Sequence, residues 1–227
     1  MGEASIQRLD LESLLSENRV HLLTAPPGGG KTIFALQFLL NGVLKDERAA
    51  YFITNESLLS LSTGSKAFGW PLEEFQKKDM LIVYYTPFSR LWRNFEYSPK
   101  NFEQVVQAIK VTLESERKPV KRIAIDSLDG LLPLSIPTEA RIDFYRRLIE
   151  VLEENSKYTC LLTASPMLGE FLAHYVHAFF EIKIARTGGN IRRTLVVRKI
   201  RWSESGLERQ SFTLTLVPGV GFVLQRE

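Results

Sequence analysis

Residues 22–40 read LLTAPPGGGKTIFALQFLL: three consecutive glycines, a lysine and a threonine set between two apolar runs. Ahead of them VHLLT (20–24) is short and apolar, as a buried strand is; behind them KTIFALQFLLNGVL (31–44) has the length and spacing of a helix. A glycine-rich turn between strand and helix can wrap its backbone N–H groups around an anion. The helix that follows adds its positive end and its unpaired N–H groups at the same place. Lys31 supplies a point charge there, and the Thr32 hydroxyl is positioned to ligate magnesium. Ala25 to Thr32 therefore read as a phosphate-binding loop, G-x-x-x-x-G-K-[ST], with Ala25 in the first glycine position. The nucleotide contacts expected are Pro27, Gly28, Gly29, Gly30, Lys31, Thr32 and Ile33. A glycine turn capping a helix, with Lys31 solvated, is the plain alternative.

Outward from the loop, short β-branched runs alternate with amphipathic ones. AAYFIT (49–54), MLIVYY (80–85), RIAID (122–126) and YTCLLTA (158–164) read as strands. NFEQVVQAIKVTLES (101–115) and EARIDFYRRLIEVLEEN (139–155) read as helices. This alternation predicts an α/β fold, a mostly parallel sheet flanked by helices on both faces. After about residue 178 the pattern changes to FFEIKIA, RTLVVRKIRW, FTLTLV and GFVLQ, separated by turn signals at Thr187-Gly188-Gly189-Asn190 and Pro218-Gly219. We expect one domain over 1–227, with a core at about 18–178 and an antiparallel β extension at about 179–227.

A phosphate loop needs a carboxylate at the end of a buried strand to support the metal's water shell, and Asp126 closes RIAID in that way. It also needs a group to orient the attacking water. Glu56 closes YFITNES, and it would face the γ-phosphate if its strand neighboured the loop strand. The competing reading of Asn55-Glu56-Ser57 is a cap on the helix that LLSLS begins.

With these parts in place the sequence resembles the KaiC-like branch of the RecA-type P-loop NTPases over nearly its whole length. TAPPGGGKTIFALQFLLNG, YFITNES, AFGWPLEEF, IAIDSL, RRTLVVRKIR and PGVGFVL carry the resemblance. It implies a RecA-like core that binds ATP with Mg2+ and hydrolyses it slowly, with Lys31 and Glu56 catalytic and Thr32 and Asp126 serving the metal. It further implies that Lys199 and Arg201, the Lys-x-Arg of the late strand, reach a neighbouring subunit's γ-phosphate in a homo-oligomeric ring of six. On a strand, residues two apart share a face, so both cations should point the same way. A solvated basic edge strand is the alternative. The sequence departs from the family in carrying Ser57 where a second glutamate is common. It also lacks a glycine-rich turn before the loop strand and has one ATPase region rather than the tandem pair of the clock proteins.

Composition narrows the classes further. The chain is 44% hydrophobic and 24% charged, with no apolar run long enough for a membrane span; residues 1–20 carry acids and no compact apolar block, so no secretory signal is expected there. The single cysteine, Cys160, cannot form an internal disulfide, which fits a cytoplasmic protein. The net charge of +3 is too mild to imply nucleic acid, although basic residues dominate from Lys183 to Arg209. Two other functions stay open: a recombinase-like, DNA-dependent ATPase, and a nucleotide-gated scaffold with little turnover that acts on a regulatory protein partner. Phe88, Trp92 and Phe95 fall on one helical face of PFSRLWRNFEY (87–97), more often a core stripe than a binding surface. His174 and His177 lack companions for a metal site. Thr163 and Ser165, at the end of the strand after Asp126, are placed to sense a γ-phosphate.

Overall fold

Strand β2 (Val20–Thr24) is buried at every residue. A strand that is apolar on both faces belongs inside a parallel sheet. The computed structural model describes residues 8–9, 11–85, 99–154, 157–187, 190–202, 207 and 209–226. The other strands are β1 (Arg8–Leu9), β3 (Ala49–Ile53), β4 (Leu81–Tyr85), β5 (Arg122–Asp126), β6 (Thr159–Ala164), β7 (Ala178–Thr187), β8 (Asn190–Ile200), β9 (Ser211–Val217) and β10 (Gly221–Arg226). They form one ten-stranded sheet in the order β1-β10-β9-β8-β7-β2-β6-β5-β3-β4. From β7 to β4 the neighbours are parallel, and from β7 back to β1 they are antiparallel. Strand β7 thus joins the two patterns, parallel to β2 on one side and antiparallel to β8 on the other. The hairpin predicted at 187–190 pairs Thr187 with Asn190, and the Pro218-Gly219 turn links β9 to β10.

The helices are α1 (Lys31–Val43), α2 (Leu58–Ala67), α3 (Leu72–Lys77), α4 (Pro99–Glu114), α5 (Thr138–Glu154) and α6 (Pro166–Leu172). Alternate residues of β2 feed two cores, one on each face of the sheet. Val20 and Leu22 pack with Phe102 and Val106 of α4, Phe144 and Leu148 of α5, and Leu168 of α6. Leu23 packs with Phe34 and Phe38 of α1 and with Leu195, Phe212 and Phe222 of the C-terminal strands. Both faces are covered, as the alternation predicted. Helix α1 is buried over most of its circumference because the sheet lies on one side of it and β10 reaches another. No described helix is long and apolar enough to cross a membrane.

One expectation is corrected. Strand β3 does not neighbour the loop strand β2, because β5 and β6 stand between them. The chain runs out from β3 to β4 at the edge of the sheet and returns through α4 to place β5 on the inner side of β3. Pairing Ile53 with Asp126 then brings Glu56 and Asp126 to the same end of adjacent strands. The aromatic stretch 87–97 lies outside the described residues.

Candidate functional site

The loop leaves β2 at Thr24 and enters α1 at Lys31. Gly29 N–H donates to the Pro26 carbonyl at 3.0 Å, and Phe34 N–H donates to the Gly30 carbonyl at 2.9 Å. Gly30 precedes the helix with φ of 99°, a left-handed conformation that glycine adopts without penalty, and no side chain caps the helix. The first N–H groups of α1 are therefore open to an anion. Ala25 fits the first motif position for a steric reason. It is fully buried, and a Cβ on Gly29 would lie 2.5 Å from the Ala25 methyl, so the glycine makes the room that the alanine takes. Lys31 Nζ folds back over the loop and donates to the Ala25 carbonyl at 2.8 Å.

Asp126 is the hub of the site. Its Oδ2 accepts from Thr32 Oγ1 at 2.7 Å and from the Tyr51 hydroxyl at 2.8 Å, and its Oδ1 accepts from Thr163 Oγ1 at 2.5 Å. Burial, then the Asp126 charge, push the Tyr51 hydroxyl well above its ordinary pKa, so it remains a donor. Around this hub the strand ends are stitched together. Thr54 Oγ1 donates to the Ser127 carbonyl at 2.7 Å, and Asn55 Nδ2 donates to Ser127 Oγ at 2.9 Å. Asp129 accepts from the Ser165 backbone N–H at 2.7 Å and from its hydroxyl at 2.6 Å. The hydroxyls of Thr163 and Ser165, expected as phosphate sensors, are thus engaged with Asp126 and Asp129. Tyr51 and Asp129 were missed. Tyr51 sits in an apolar run and reads as core, whereas Asp129, three residues past Asp126 and ahead of a glycine, could have been found.

Glu56 is half-buried on the rim of the cleft, which Pro27, Lys31, Thr32, Asp126 and Asp129 also line. The cap reading of Asn55-Glu56-Ser57 holds. Ser57 is the N-cap of α2, with its hydroxyl accepting from Ser60 N–H at 3.2 Å, while Glu56 Oε1 accepts from Ser60 Oγ at 2.5 Å. Ile33 lines an adjoining pocket that shares Thr32 and Glu56 with the cleft and is walled by Leu36, Phe68 and Trp70. The Gly28 carbonyl accepts from Arg193 Nη2 at 3.4 Å.

The donors present suit a magnesium–triphosphate. Hydroxyl and carboxylate oxygens meet at Thr32 and Asp126, beside a lysine and an uncapped helix start. Among the described residues no group of three or more His, Cys, Asp or Glu side chains could hold a metal by itself. An ion here would take its remaining ligands from phosphate and water. His174 and His177 are no exception, and His177 packs edge-on against His21 at 5.9 Å between ring centroids. Cys160 is fully buried, and burial pushes its thiol pKa far up.

Lys199 and Arg201 stand apart from this cluster. Lys199 lies opposite Phe179, at the level of Leu22 in β2, and Arg201 N–H bonds the His177 carbonyl still further from the loop. Both side chains point the same way, onto one turn of backbone. Lys199 Nζ donates to the carbonyls of Ala173 at 2.6 Å and Val176 at 2.9 Å, and Arg201 Nη2 donates to that of His174. Desolvation lowers the Lys199 pKa. Within one chain Lys31, Thr32, Glu56 and Asp126 come together, and Lys199 and Arg201 do not join them.

Residues 4–226 match the family model described as "ATPase: KaiC". The chain is 24% identical over 209 residues to a UPF0273 protein of Thermotoga maritima, an alignment covering 88% of this chain and 86% of that one. It is 26% identical over 212 residues to a UPF0273 protein of Pyrococcus horikoshii, covering 88% and 84%. To the circadian clock oscillator protein KaiC of Parathermosynechococcus lividus it is 24% identical over 204 residues, 87% of this chain and 37% of that protein.

Proposed function

Because this chain belongs to the KaiC ATPase family, we propose that it binds Mg-ATP in the cleft at the C-terminal ends of β2, β5 and β3 and hydrolyses it slowly. The observation that carries the reading is the 2.7 Å hydrogen bond from Thr32 to Asp126, which locks the start of the loop helix to the strand end beneath Lys31. Lys31, Pro27 and the N–H groups of Gly28 to Ile33 hold the β- and γ-phosphates. Thr32 and Asp126 hold magnesium and its water shell, and the ion when bound neutralises charge on the phosphate oxygens. Glu56 accepts a hydrogen bond from the attacking water and orients it. The adjoining pocket walled by Leu36, Phe68 and Trp70 takes the nucleoside.

Lys199 and Arg201 complete the site of a neighbouring subunit. Their place toward the other end of the strands supports a role outside their own cleft. That role makes the working form a homo-oligomer, by family analogy a six-membered ring of single ATPase domains in the cytoplasm. Turnover there gates assembly and a regulatory protein partner. The Ser57 cap favours slow hydrolysis, since the place of a second glutamate is given to helix structure. The same observation supports the alternative of a nucleotide-gated scaffold. The DNA-dependent reading is weaker, because Arg198 of the basic stretch is paired with Glu170 and Glu181. The test is Lys31→Ala, with Mg-ATP binding followed by calorimetry. Tight binding should vanish, and an unchanged affinity would refute the assignment.

A further inference from the structure

Gln37 is an amide on a helix whose other inward residues are apolar, and it is 8% exposed. Burying it is tolerable only with its polar atoms satisfied, and both go to one residue. Gln37 Nε2 donates to the Phe222 carbonyl at 2.9 Å, and Phe222 N–H donates to Gln37 Oε1 at 2.7 Å. The amide reads the backbone of β10 as a neighbouring strand would. Gly221 makes the approach feasible. Its φ is 97°, and a Cβ there would lie 2.5 Å from Gln37 Oε1. What the grip fixes is the Phe222 ring, 2% exposed, which lies against the phosphate loop. A Cβ on Gly30 would fall 2.5 Å from its Cζ. Arg193 of β8 touches the loop a second time, at the Gly28 carbonyl.

We propose that Phe222, held by Gln37, is a positioning residue for the phosphate loop, so that the C-terminal strands set how firmly the loop grips a triphosphate. The proposal rests on the reading of the cleft as the ATP site and adds a part to it. Phe222 makes no contact with substrate in this scheme. It acts through Gly30, whose carbonyl starts the hydrogen-bond ladder of α1 and whose N–H is among those proposed above to hold the phosphates. Without the ring the loop has space to relax, and its N–H groups lose their common aim.

The experiment compares Phe222→Ala, Phe222→Leu, Gln37→Leu and the double variant Gln37→Leu/Phe222→Ala with Leu224→Ala. Leu224 is a fully buried control on the same strand, opposite Leu9 and Leu214. The Kd for Mg-ATP is measured by calorimetry well below each melting temperature. Phe222→Ala should weaken binding about tenfold or more, since small misplacements of a gripping group carry penalties of that order. Phe222→Leu should recover part of the loss. Gln37→Leu should weaken binding in the same direction, and the double variant should lose less than the product of the two single effects, because both act through one ring. Leu224→Ala should melt earlier yet bind ATP as the unaltered chain does. A Kd unchanged in Phe222→Ala and Gln37→Leu would overturn the proposal, as would an equal loss in Leu224→Ala. If Phe222→Ala does not fold, Phe222→Leu and Gln37→Leu decide by the same criterion. Failure of the unaltered chain to bind ATP would bring down the cleft reading itself and this proposal with it.

Discussion

Among the described residues three hydroxyls hold Asp126, each from a different element: Thr32 from α1, Tyr51 from β3 and Thr163 from β6. Its position is therefore a property of the closed sheet. The residues of the loop and Asp126 were legible because their chemistry depends on local spacing along the chain. Tyr51 was not, since a tyrosine within AAYFIT looks like any core aromatic until its hydroxyl is seen to have a partner. His21 shows the same concealment. It is fully buried in β2, with Ser16 N–H donating to Nε2 at 3.0 Å and Nδ1 meeting the Cys160 carbonyl at 3.1 Å, an arrangement that suits the neutral ring. Burial lowers its pKa from 6.5 to about 4. The unfolded chain thus binds this proton more readily than the folded one, so stability is full above pH 6.5 and declines as pH falls toward 4. The loss attributable to His21 reaches about 3 kcal/mol. His177, whose pKa is also lowered chiefly by desolvation, adds in the same direction. Urea denaturation midpoints measured between pH 7 and pH 4.5 should fall accordingly, and His21→Gln should flatten that slope.

At the scale of elements, the start of α2 carries two duties at once. Ser57 caps the helix, and Ser60, within its first turn, donates to Glu56 and so holds the carboxylate on the cleft rim. Replacing Ser57 with alanine should destabilise the fold by about 1 kcal/mol, the usual cost of losing an N-cap, with Mg-ATP affinity unchanged. Ser57→Asp should retain the stability. Thermal melts with calorimetry on the same samples check both statements. The longer strands and helices were legible, because β-branched runs and helical spacing declare element type, whereas the short β1, α3 and α6 were not read as elements. The lateral order of the strands was not legible. The sequence of β3 is compatible with several neighbours, and only the crossover through β4 and α4 decides that β5 takes the place beside it. Strand β7 was likewise read as the start of the antiparallel extension, although on one side it continues the parallel sheet.

At the scale of the whole molecule, the phosphate loop and the Lys199–Arg201 pair lie toward opposite ends of the strands. If the pair serves a neighbour's nucleotide, defects in the two places should complement each other. Glu56→Ala subunits retain the cations and Arg201→Ala subunits retain the Glu56 carboxylate. Mixed in equal amounts, they should form intact sites at about a quarter of the boundaries of a cyclic assembly. Turnover measured on mixed assemblies, with composition verified by mass, should rise above that of either variant alone. No recovery would count against shared sites. The relation between loop and cations could not be read from the sequence, because the distance between them depends on the register of β7 against β2 and β8.

That register also bears on how the chain is made. Strand β2 pairs Val20 with Cys160 and His21 with Ala178, so the centre of the sheet joins segments far apart in order of synthesis. Contacts of such long sequence separation form late and slowly. The glycine-loop segment is made before β6 and β7, so its strand gains these flanking partners only after they follow. During that interval its apolar runs are exposed without partners, the condition in which nascent chains depend most on chaperones.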